Sequence, residues 1–202
     1  MPYPDRFYPV VDSISWVARL TKLGVGTIQL RAKNLNDADA LAIVREGLAV
    51  TRGTHSELVV NDYWRAAIEA QARHLHLGQE DLADADLAAI RKAGLSLGVS
   101  THDDDELATA LRAKPDYVAL GPIFFTTLKS MRFAPQGIPK ITEWKRRVGN
   151  LPLVAIGGIK FEHAAAIFAA GADSIAVVSD VTQNADPDAR VRQWLGASAK
   201  AA

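Results

Sequence analysis

The sequence predicts an α/β fold, namely a single closed (β/α)₈ barrel of the TIM type. Short runs rich in β-branched residues alternate with segments of helical periodicity along the whole chain. Most of these runs are continuously apolar, as expected for parallel strands buried on both faces. They recur roughly every 24 residues, which is enough for one strand, one helix and two short loops. An open doubly wound sheet is the structural alternative, and it usually has fewer strands.

Eight such runs are the predicted strands. They lie at residues 8–11, 27–30, 57–60, 74–77, 96–100, 116–120, 153–156 and 174–178. Residues 37–46 and 64–70 show helical periodicity between them. Gly24, Gly94 and Gly171 each follow a predicted helix, where glycine adopts the left-handed conformation at little cost. Candidate N-capping side chains occur in Asp12-Ser13, Asn36-Asp37 and Thr101-His102-Asp103.

Composition excludes several classes of protein. The 202 residues fit one soluble domain over 1–202, with residues 196–202 expected to be a flexible tail. Lys plus Arg and Asp plus Glu both number 23, and this balance argues against a nucleic-acid or membrane-surface partner. The lack of cysteine excludes disulfides, a thiol nucleophile and a cysteine-ligated metal. No apolar stretch suits a membrane span or a signal peptide, so we expect a cytoplasmic protein.

Active sites of such barrels lie at the carboxyl ends of the strands, so the residues there are the candidates. Gln29, Arg31 and Lys33 follow the second strand at a spacing of two, which directs all three side chains to the same side. If that side is the barrel mouth, two cations and an amide converge there. An ordinary solvated transition from strand to loop explains the spacing about as well.

Carboxylates follow the third and fourth strands. Asp62 comes after Asn61, and Asp81 comes after Gly78 and Gln79. Two carboxylates on adjacent strand ends suit Mg²⁺ that also holds phosphate oxygens. Taken alone, capping of the following helices is the simpler interpretation of these residues.

Hydroxyls and a lysine follow the fifth and sixth strands. Ser100 would lie at the mouth, whereas the acidic run 103–106 is interpreted as the start of a helix. The long segment 121–137 contains Thr126, Thr127 and Lys129, which suit an anionic ligand.

The last two strands end in small residues. Gly157 and Gly158 follow the seventh strand, and Val178 and Ser179 follow the eighth. In this fold the seventh and eighth loops often bind phosphate through backbone N–H groups. His74 and His76 lack further zinc-ligand partners and are interpreted as packing residues, as are the four tryptophans. Together the strand ends predict two phosphate sites, one for a metal-bound diphosphate and one for a monophosphate.

These residues form an ordered set of motifs over about residues 7–185. The motifs are Gln29-Leu30-Arg31-Ala32-Lys33, Val60-Asn61-Asp62, His76-Leu77-Gly78-Gln79-Glu80-Asp81-Leu82, Gly98-Val99-Ser100-Thr101-His102, Gly121-Pro122-Ile123-Phe124, Ala155-Ile156-Gly157-Gly158-Ile159 and Ala176-Val177-Val178-Ser179. In this order they resemble the thiamin phosphate synthase (thiamin-phosphate pyrophosphorylase) family. That family is a (β/α)₈ barrel that joins 4-amino-5-hydroxymethyl-2-methylpyrimidine diphosphate to hydroxyethylthiazole phosphate, giving thiamin phosphate and pyrophosphate.

The resemblance implies a role for each candidate. The pyrimidine diphosphate would contact Gln29, Leu30, Arg31, Ala32, Lys33, Asn61, Ser100 and Lys129. The thiazole phosphate would contact Thr126, Thr127, Leu128, Gly158, Val178 and Ser179. Asp62 and Asp81 would hold Mg²⁺, and the catalytic residues would be Arg31, Lys33, Ser100 and Lys129. The implied reaction begins with loss of pyrophosphate, after which the thiazole nitrogen captures the pyrimidine-methyl cation.

Two positions depart from the family pattern, both on the thiazole side. Leu128 stands where the family loop usually has threonine, and Asp180 follows Ser179 where a small apolar residue is common. A carboxylate there would repel a phosphate unless it points away. A thiazole-phosphate tautomerase and a non-catalytic phosphate-ligand binder are the alternative functions. The expected partners are small phosphorylated molecules, and association into a homo-oligomer is compatible with the sequence.

Overall fold

The computed structural model describes residues 3–126 and 133–199 and contains a closed barrel of eight parallel strands in chain order. The strands are β1 Phe7–Val11, β2 Thr27–Leu30, β3 Glu57–Asn61, β4 His74–Leu77, β5 Ser96–Thr101, β6 Tyr117–Leu120, β7 Leu153–Ile156 and β8 Ser174–Val177. β1 pairs with β8 and closes the barrel. The predicted fold class is therefore confirmed, and each predicted strand ends within one residue of the observed one.

Helices connect the strands and cover the outside of the barrel. They are α1 Ile14–Lys22, α2 Asp37–Thr51, α3 Trp64–Glu69, α4 Gln79–Asp84, α5 Leu87–Lys92, α6 Asp104–Arg112, α7 Gly137–Val148, α8 Ala164–Ala169, α9 Ser179–Thr182 and α10 Pro187–Ala199, with a 3₁₀ turn at Phe161–His163. Within the described ranges, no helix has the length and apolar character needed to cross a membrane.

The predicted helix boundaries have the expected local causes. Gly24, Gly94 and Gly171 follow α1, α5 and α8 with φ of +85°, +74° and +106°. Asn36 accepts a hydrogen bond from the N–H of Asp39, and Asp103 accepts one from the N–H of Glu106. These side chains replace the bonds that the first turn of a helix lacks.

The predicted flexible tail, residues 196–202, overlaps the end of the last helix. Residues 196–199 form the last turn of α10, and residues 200–202 lie outside the described range. Val191 and Trp194, earlier in the same helix, are buried.

Apolar side chains form two separate layers because residues on each strand alternate between the two faces of the sheet. The outer layer lies between strands and helices and contains Leu30 and Val60. The inner layer fills the barrel with Tyr8, Val10, Val59, Tyr117, Ala119, Val154 and Ala176. Consecutive residues such as Val59 and Val60 therefore belong to different layers.

A glycine makes room for the largest side chain of the inner layer. Strand register places Gly98 between His76 and Tyr117. A Cβ on Gly98 would lie 2.0 Å from Cζ of Tyr117, so the ring passes where a side chain would otherwise stand. The ring crosses toward β4 and brings its hydroxyl to His76.

Candidate functional site

A cavity of about 820 Å³ opens at the carboxyl ends of the strands. It is lined by residues that follow every strand of the barrel. Those that the sequence singled out for the site are Gln29, Arg31, Lys33, Asn61, Asp62, Asp81, Ser100, Thr126, Gly158, Val178 and Ser179. The closed barrel thus brings together side chains that lie up to 150 positions apart along the chain.

The segment after β2 contributes alternate residues to the cavity. Gln29, Arg31 and Lys33 line it, as the spacing of two predicts. Leu30 and Ala32 do not line it, although the resemblance placed them at the diphosphate. Leu30 is 4% exposed and its side chain packs in the outer layer, because neighbouring residues of a strand face opposite ways.

Asp62 and Asp81 lie side by side at the mouth. Lys33 donates a hydrogen bond from Nζ to Oδ2 of Asp62. Burial raises the pKa of the Asp81 carboxyl, the negative charge and hydrogen bond of Asp62 raise it further, and Lys33 opposes the shift. The two carboxylates thus share a site where a second positive charge would be favourable.

This pair fits Mg²⁺ on the chemistry of its donors. Among the described residues, no three His, Cys, Asp or Glu side chains cluster closely enough to hold a metal by themselves. Mg²⁺ is commonly bound by one or two carboxylates, with phosphate oxygens and water completing the shell. Asp62 and Asp81 match that donor set when a diphosphate occupies the cavity.

Asn61 presents a buried donor to the same part of the cavity. The residue is 4% exposed, and its Nδ2 has no hydrogen-bond partner within the described part of the chain. An unpaired buried donor costs free energy, so such a group is expected to bond to a ligand. Its position beside Asp62 suits a phosphate oxygen.

Ser100 is held by a chain of buried polar groups. Its Oγ lies 2.8 Å from Nε2 of His76, and Nδ1 of His76 lies 2.9 Å from the hydroxyl of Tyr117. The hydroxyls of Tyr117 and Tyr8 are 2.8 Å apart, and Nε2 of Gln29 donates to Tyr8 at 2.7 Å. Burial lowers the pKa of His76 to about 4, with Arg31 and Lys33 adding to the shift and Asp62 opposing it. The imidazole is therefore neutral at pH 7.

A second histidine supports the segment after β5. Nδ1 of His102 lies 2.6 Å from Oε2 of Glu106. The His102 ring also stacks on Phe133, with centroids 4.7 Å apart. The amide of Gln136 donates to the His102 carbonyl at 2.8 Å. The end of the β6–α7 connection that precedes α7 is thereby tied to the mouth.

Gly157 and Gly158 line the cavity where the β6 and β7 segments cross. Their φ values are +98° and +65°. A Cβ added to Gly157 would lie 2.7 Å from Cα of Pro122. A Cβ added to Gly158 would lie 2.4 Å from the carbonyl oxygen of Phe125. The N–H of Phe124 also donates to the carbonyl of Gly157 at 2.9 Å. Both glycines are thus required by the neighbouring backbone, whatever ligand they contact.

Asp180 points away from the cavity that Val178 and Ser179 line. Its Oδ2 accepts from Nε1 of Trp194 at 2.8 Å and from the N–H of Phe161 at 3.2 Å. Nε of Arg190 lies 3.8 Å from the same oxygen. The carboxylate therefore joins α9 to the 3₁₀ turn and α10, and does not face a phosphate bound at Ser179.

Three of the predicted site residues lie outside the described range. These are Thr127, Leu128 and Lys129. Thr126, the last described residue before them, lines the cavity.

Sequence reasoning missed several residues of the cavity. His76 was interpreted as packing, Trp16 as core or surface packing, and Glu106 as part of a helix start, yet all three line it. For His76 a signal was available, because it stands in register with Asn61 on the neighbouring strand. Trp16 and Glu106 lie on helices, and their approach to the mouth depends on how those helices pack.

Comparison with known proteins identifies the family. Residues 7–181 match the family model described as thiamine monophosphate synthase. The chain is 55% identical over 195 residues to thiamine-phosphate synthase of Rhizobium etli, covering 96% of both chains. It is 49% identical over 195 residues to the protein of the same name from Klebsiella pneumoniae, covering 96% of this chain and 92% of that one.

Solved structures agree with these matches. The thiamine phosphate pyrophosphorylase from Pyrococcus furiosus superposes with a TM-score of 0.84 at 25% identity, over 96% of each chain. A 3-hexulose-6-phosphate synthase superposes with a TM-score of 0.70 at 16% identity, which shows a shared fold alone. The family model, the curated relatives and the barrel with its cationic and carboxylate mouth agree, and the chain is an enzyme that belongs to the thiamine monophosphate synthase family.

Proposed function

We propose that this chain joins 4-amino-5-hydroxymethyl-2-methylpyrimidine diphosphate to hydroxyethylthiazole phosphate, or to its carboxylated form, and releases pyrophosphate. The observation that carries the proposal is a single cavity with two differently equipped sides. Arg31, Lys33 and the Asp62–Asp81 pair line one side, and Gly158 and Ser179 line the other. The names of the curated relatives, thiamine-phosphate synthase, support the same reaction.

The diphosphate side suits a dissociative reaction. The bond between the pyrimidine methylene carbon and the diphosphate oxygen breaks, and its electron pair leaves with pyrophosphate. The thiazole nitrogen then donates its lone pair to the methylene carbon and forms the new C–N bond. Arg31 and Lys33 stabilise the charge that develops on the leaving group, and Nδ2 of Asn61 can donate to one of its oxygens.

Asp62 and Asp81 are the residues that would hold Mg²⁺. When bound, Mg²⁺ would neutralise negative charge on the diphosphate oxygens. Lys33 has a related role, because its Nζ already bonds to Asp62 and keeps a positive charge at the carboxylate pair.

The thiazole side has the features of a monophosphate site. Gly158 and Ser179 line the cavity there. Asp180, which differs from the family pattern, does not oppose this assignment. Its carboxylate accepts hydrogen bonds from Trp194 and Phe161 and so faces away from the phosphate site.

The test is incubation of the purified protein with both substrates, with and without Mg²⁺. We expect thiamin phosphate and pyrophosphate in equal amounts, and a rate at least about 100-fold lower for Arg31→Met. Arg52→Met is the matched control, because Arg52 is exposed and does not line the cavity. Folded protein that yields no thiamin phosphate above background would refute the proposal.

The same assay separates the two alternatives. Calorimetry that shows tight binding of both substrates without turnover would favour the non-catalytic binder. Interconversion of thiazole-phosphate tautomers without use of the pyrimidine diphosphate would favour the tautomerase. A tautomerase has no need of the Asp62–Asp81 pair or of Arg31.

A further inference from the structure

Five buried or partly buried polar side chains cross the barrel from one wall of the cavity to the other. They form a continuous series of hydrogen bonds, which we call the relay: Gln29, Tyr8, Tyr117, His76 and Ser100. Only Gln29, His76 and Ser100 line the cavity. The two tyrosine hydroxyls lie below it, inside the barrel.

The hydrogens of the relay can be assigned by counting them. Each tyrosine hydroxyl carries one hydrogen. Nε2 of Gln29 donates to the Tyr8 oxygen, so the Tyr8 hydrogen finds its acceptor in the Tyr117 oxygen. The Tyr117 hydrogen then finds its acceptor in Nδ1 of His76. With the Gln29 amide donating to Tyr8, the reverse direction leaves the Tyr8 hydrogen unpaired in the barrel interior, which costs free energy.

This direction determines the tautomer of His76. Since Nδ1 accepts, the neutral imidazole carries its proton on Nε2 and donates it to Oγ of Ser100. Ser100 accepts that bond, and its own hydrogen remains for a ligand. At the opposite end, one N–H of the Gln29 amide is donated to Tyr8, and the carbonyl oxygen remains as an acceptor.

We propose that Tyr117 and His76 are positioning residues that make Ser100 a hydrogen-bond donor and Gln29 a hydrogen-bond acceptor toward the bound ligand. The ligand chemistry that matches is a heterocycle with a ring nitrogen as acceptor and an amino group as donor. An aminopyrimidine carries both. The identity of that ligand rests on the proposed function, whereas the direction of the relay rests on the geometry of the ligand-free protein.

The direction is tested by NMR on ligand-free protein with ¹⁵N-labelled histidine at pH 7. The NMR signals of His76 are assigned as those that disappear in the His76→Gln variant. We expect the proton on Nε2 in the unchanged protein and a mixture of tautomers in Tyr117→Phe, which lacks the hydrogen donated to Nδ1. A proton on Nδ1, or a tautomer unaffected by Tyr117→Phe, would overturn the proposal. If Tyr117→Phe does not fold, Tyr8→Phe takes its place. It interrupts the relay one hydrogen bond further from His76.

The effect on the ligand is tested by steady-state kinetics. We expect Tyr117→Phe to raise KM for the pyrimidine diphosphate about fivefold and to change KM for the thiazole phosphate less than about twofold. Tyr63→Phe is the matched control, since the Tyr63 hydroxyl accepts from the N–H of Leu35 at 3.0 Å and takes no part in the relay. Equal changes in both KM values, or the same split in Tyr63→Phe, would contradict the assignment. If no turnover is found, the proposed function fails, and the NMR result still decides the direction of the relay.

Discussion

Asp81 is a carboxyl group whose surroundings raise its pKa. Burial and the neighbouring Asp62 both raise the pKa of Asp81, and Lys33 offsets only part of this effect. A group in this state is expected at a site completed by a ligand, here a cation and the diphosphate that it binds. The raised pKa of Asp81 beside Asp62 supports the proposed binding of Mg²⁺ by this pair.

We expect Asp81→Asn to lower the turnover number about 100-fold or more, because it removes one of two carboxylates available to Mg²⁺. The dissociation constant of the thiazole phosphate should change less than about twofold, since that substrate binds on the other side of the cavity. Asp84→Asn, on the exposed face of the same helix, is the control. Calorimetry and initial rates give both quantities, and an equal loss of the two would contradict the metal assignment.

Burial of His76 makes the free energy of unfolding depend on pH. Its pKa is lowered from 6.5 to about 4 in the folded protein, chiefly by burial. Protonation therefore favours the unfolded chain. The stabilisation is complete above pH 6.5 and is lost as the pH falls through about 4, by about 3 kcal/mol in all.

Urea denaturation at several pH values between 4 and 7 measures this contribution. We expect the unfolding free energy of His76→Gln to fall less steeply over this range than that of the unchanged protein. The control is His55→Gln, which replaces an exposed histidine outside the barrel interior. Identical slopes for all three proteins would show that His76 is not held neutral.

Among the elements, α9, α10 and the 3₁₀ turn are joined by one buried carboxylate. Asp180 accepts hydrogen bonds from Trp194 and Phe161. Ring contacts extend this junction: Trp194 stacks on Phe7 with centroids 5.4 Å apart and meets Phe161 edge to face with centroids 5.3 Å apart. The C-terminal helix is thus attached to the strand ends that carry the predicted phosphate site.

We expect Asp180→Ala to lower the unfolding free energy by about 2 kcal/mol, because two buried donors lose their acceptor. Asp188→Ala is the control from α10. Asp188 makes an exposed ion pair with Arg19, and its loss should cost less than about 1 kcal/mol. Urea denaturation with an unchanged m value measures both. Equal decreases in unfolding free energy for the two variants would mean that the buried hydrogen bonds of Asp180 stabilise the fold no more than an exposed ion pair does.

At the scale of the whole molecule, the barrel interior contains a crowded contact between distant strands. Tyr117 occupies the space above Gly98 and reaches Tyr8 on the first strand, 109 positions earlier in the chain. The interior is close-packed, so an added methyl group there forces the ring or the strands to move.

We expect Gly98→Ala to lower the unfolding free energy by about 3 kcal/mol or more. Adding Tyr117→Leu to Gly98→Ala should recover part of this loss, although Tyr117→Leu alone is destabilising. Gly94→Ala is the control. It has φ of +74° and no atom within 4 Å of the added Cβ, so it reports backbone strain alone, about 1 kcal/mol. Strictly additive losses in the double variant would show that Gly98 and Tyr117 are not coupled.

The sequence by itself determined the barrel, the order of its strands and several residues of its mouth. These features depend on local patterns: apolar runs at regular spacing, glycines after helices, and side chains that alternate along a strand. Gln29, Arg31 and Lys33 could therefore be placed on one side of β2 without any knowledge of its neighbours. Leu30 could have been excluded by the same alternation.

Only the tertiary structure decided how separate strands and helices meet. The bond from Tyr117 to His76 spans 41 positions, and the contact of Gly158 with Phe125 depends on how two loops cross. The direction of Asp180 depends on the docking of α10. Each of these is set by the register and closure of the barrel, which arise from packing over the whole chain and leave no pattern in any single segment.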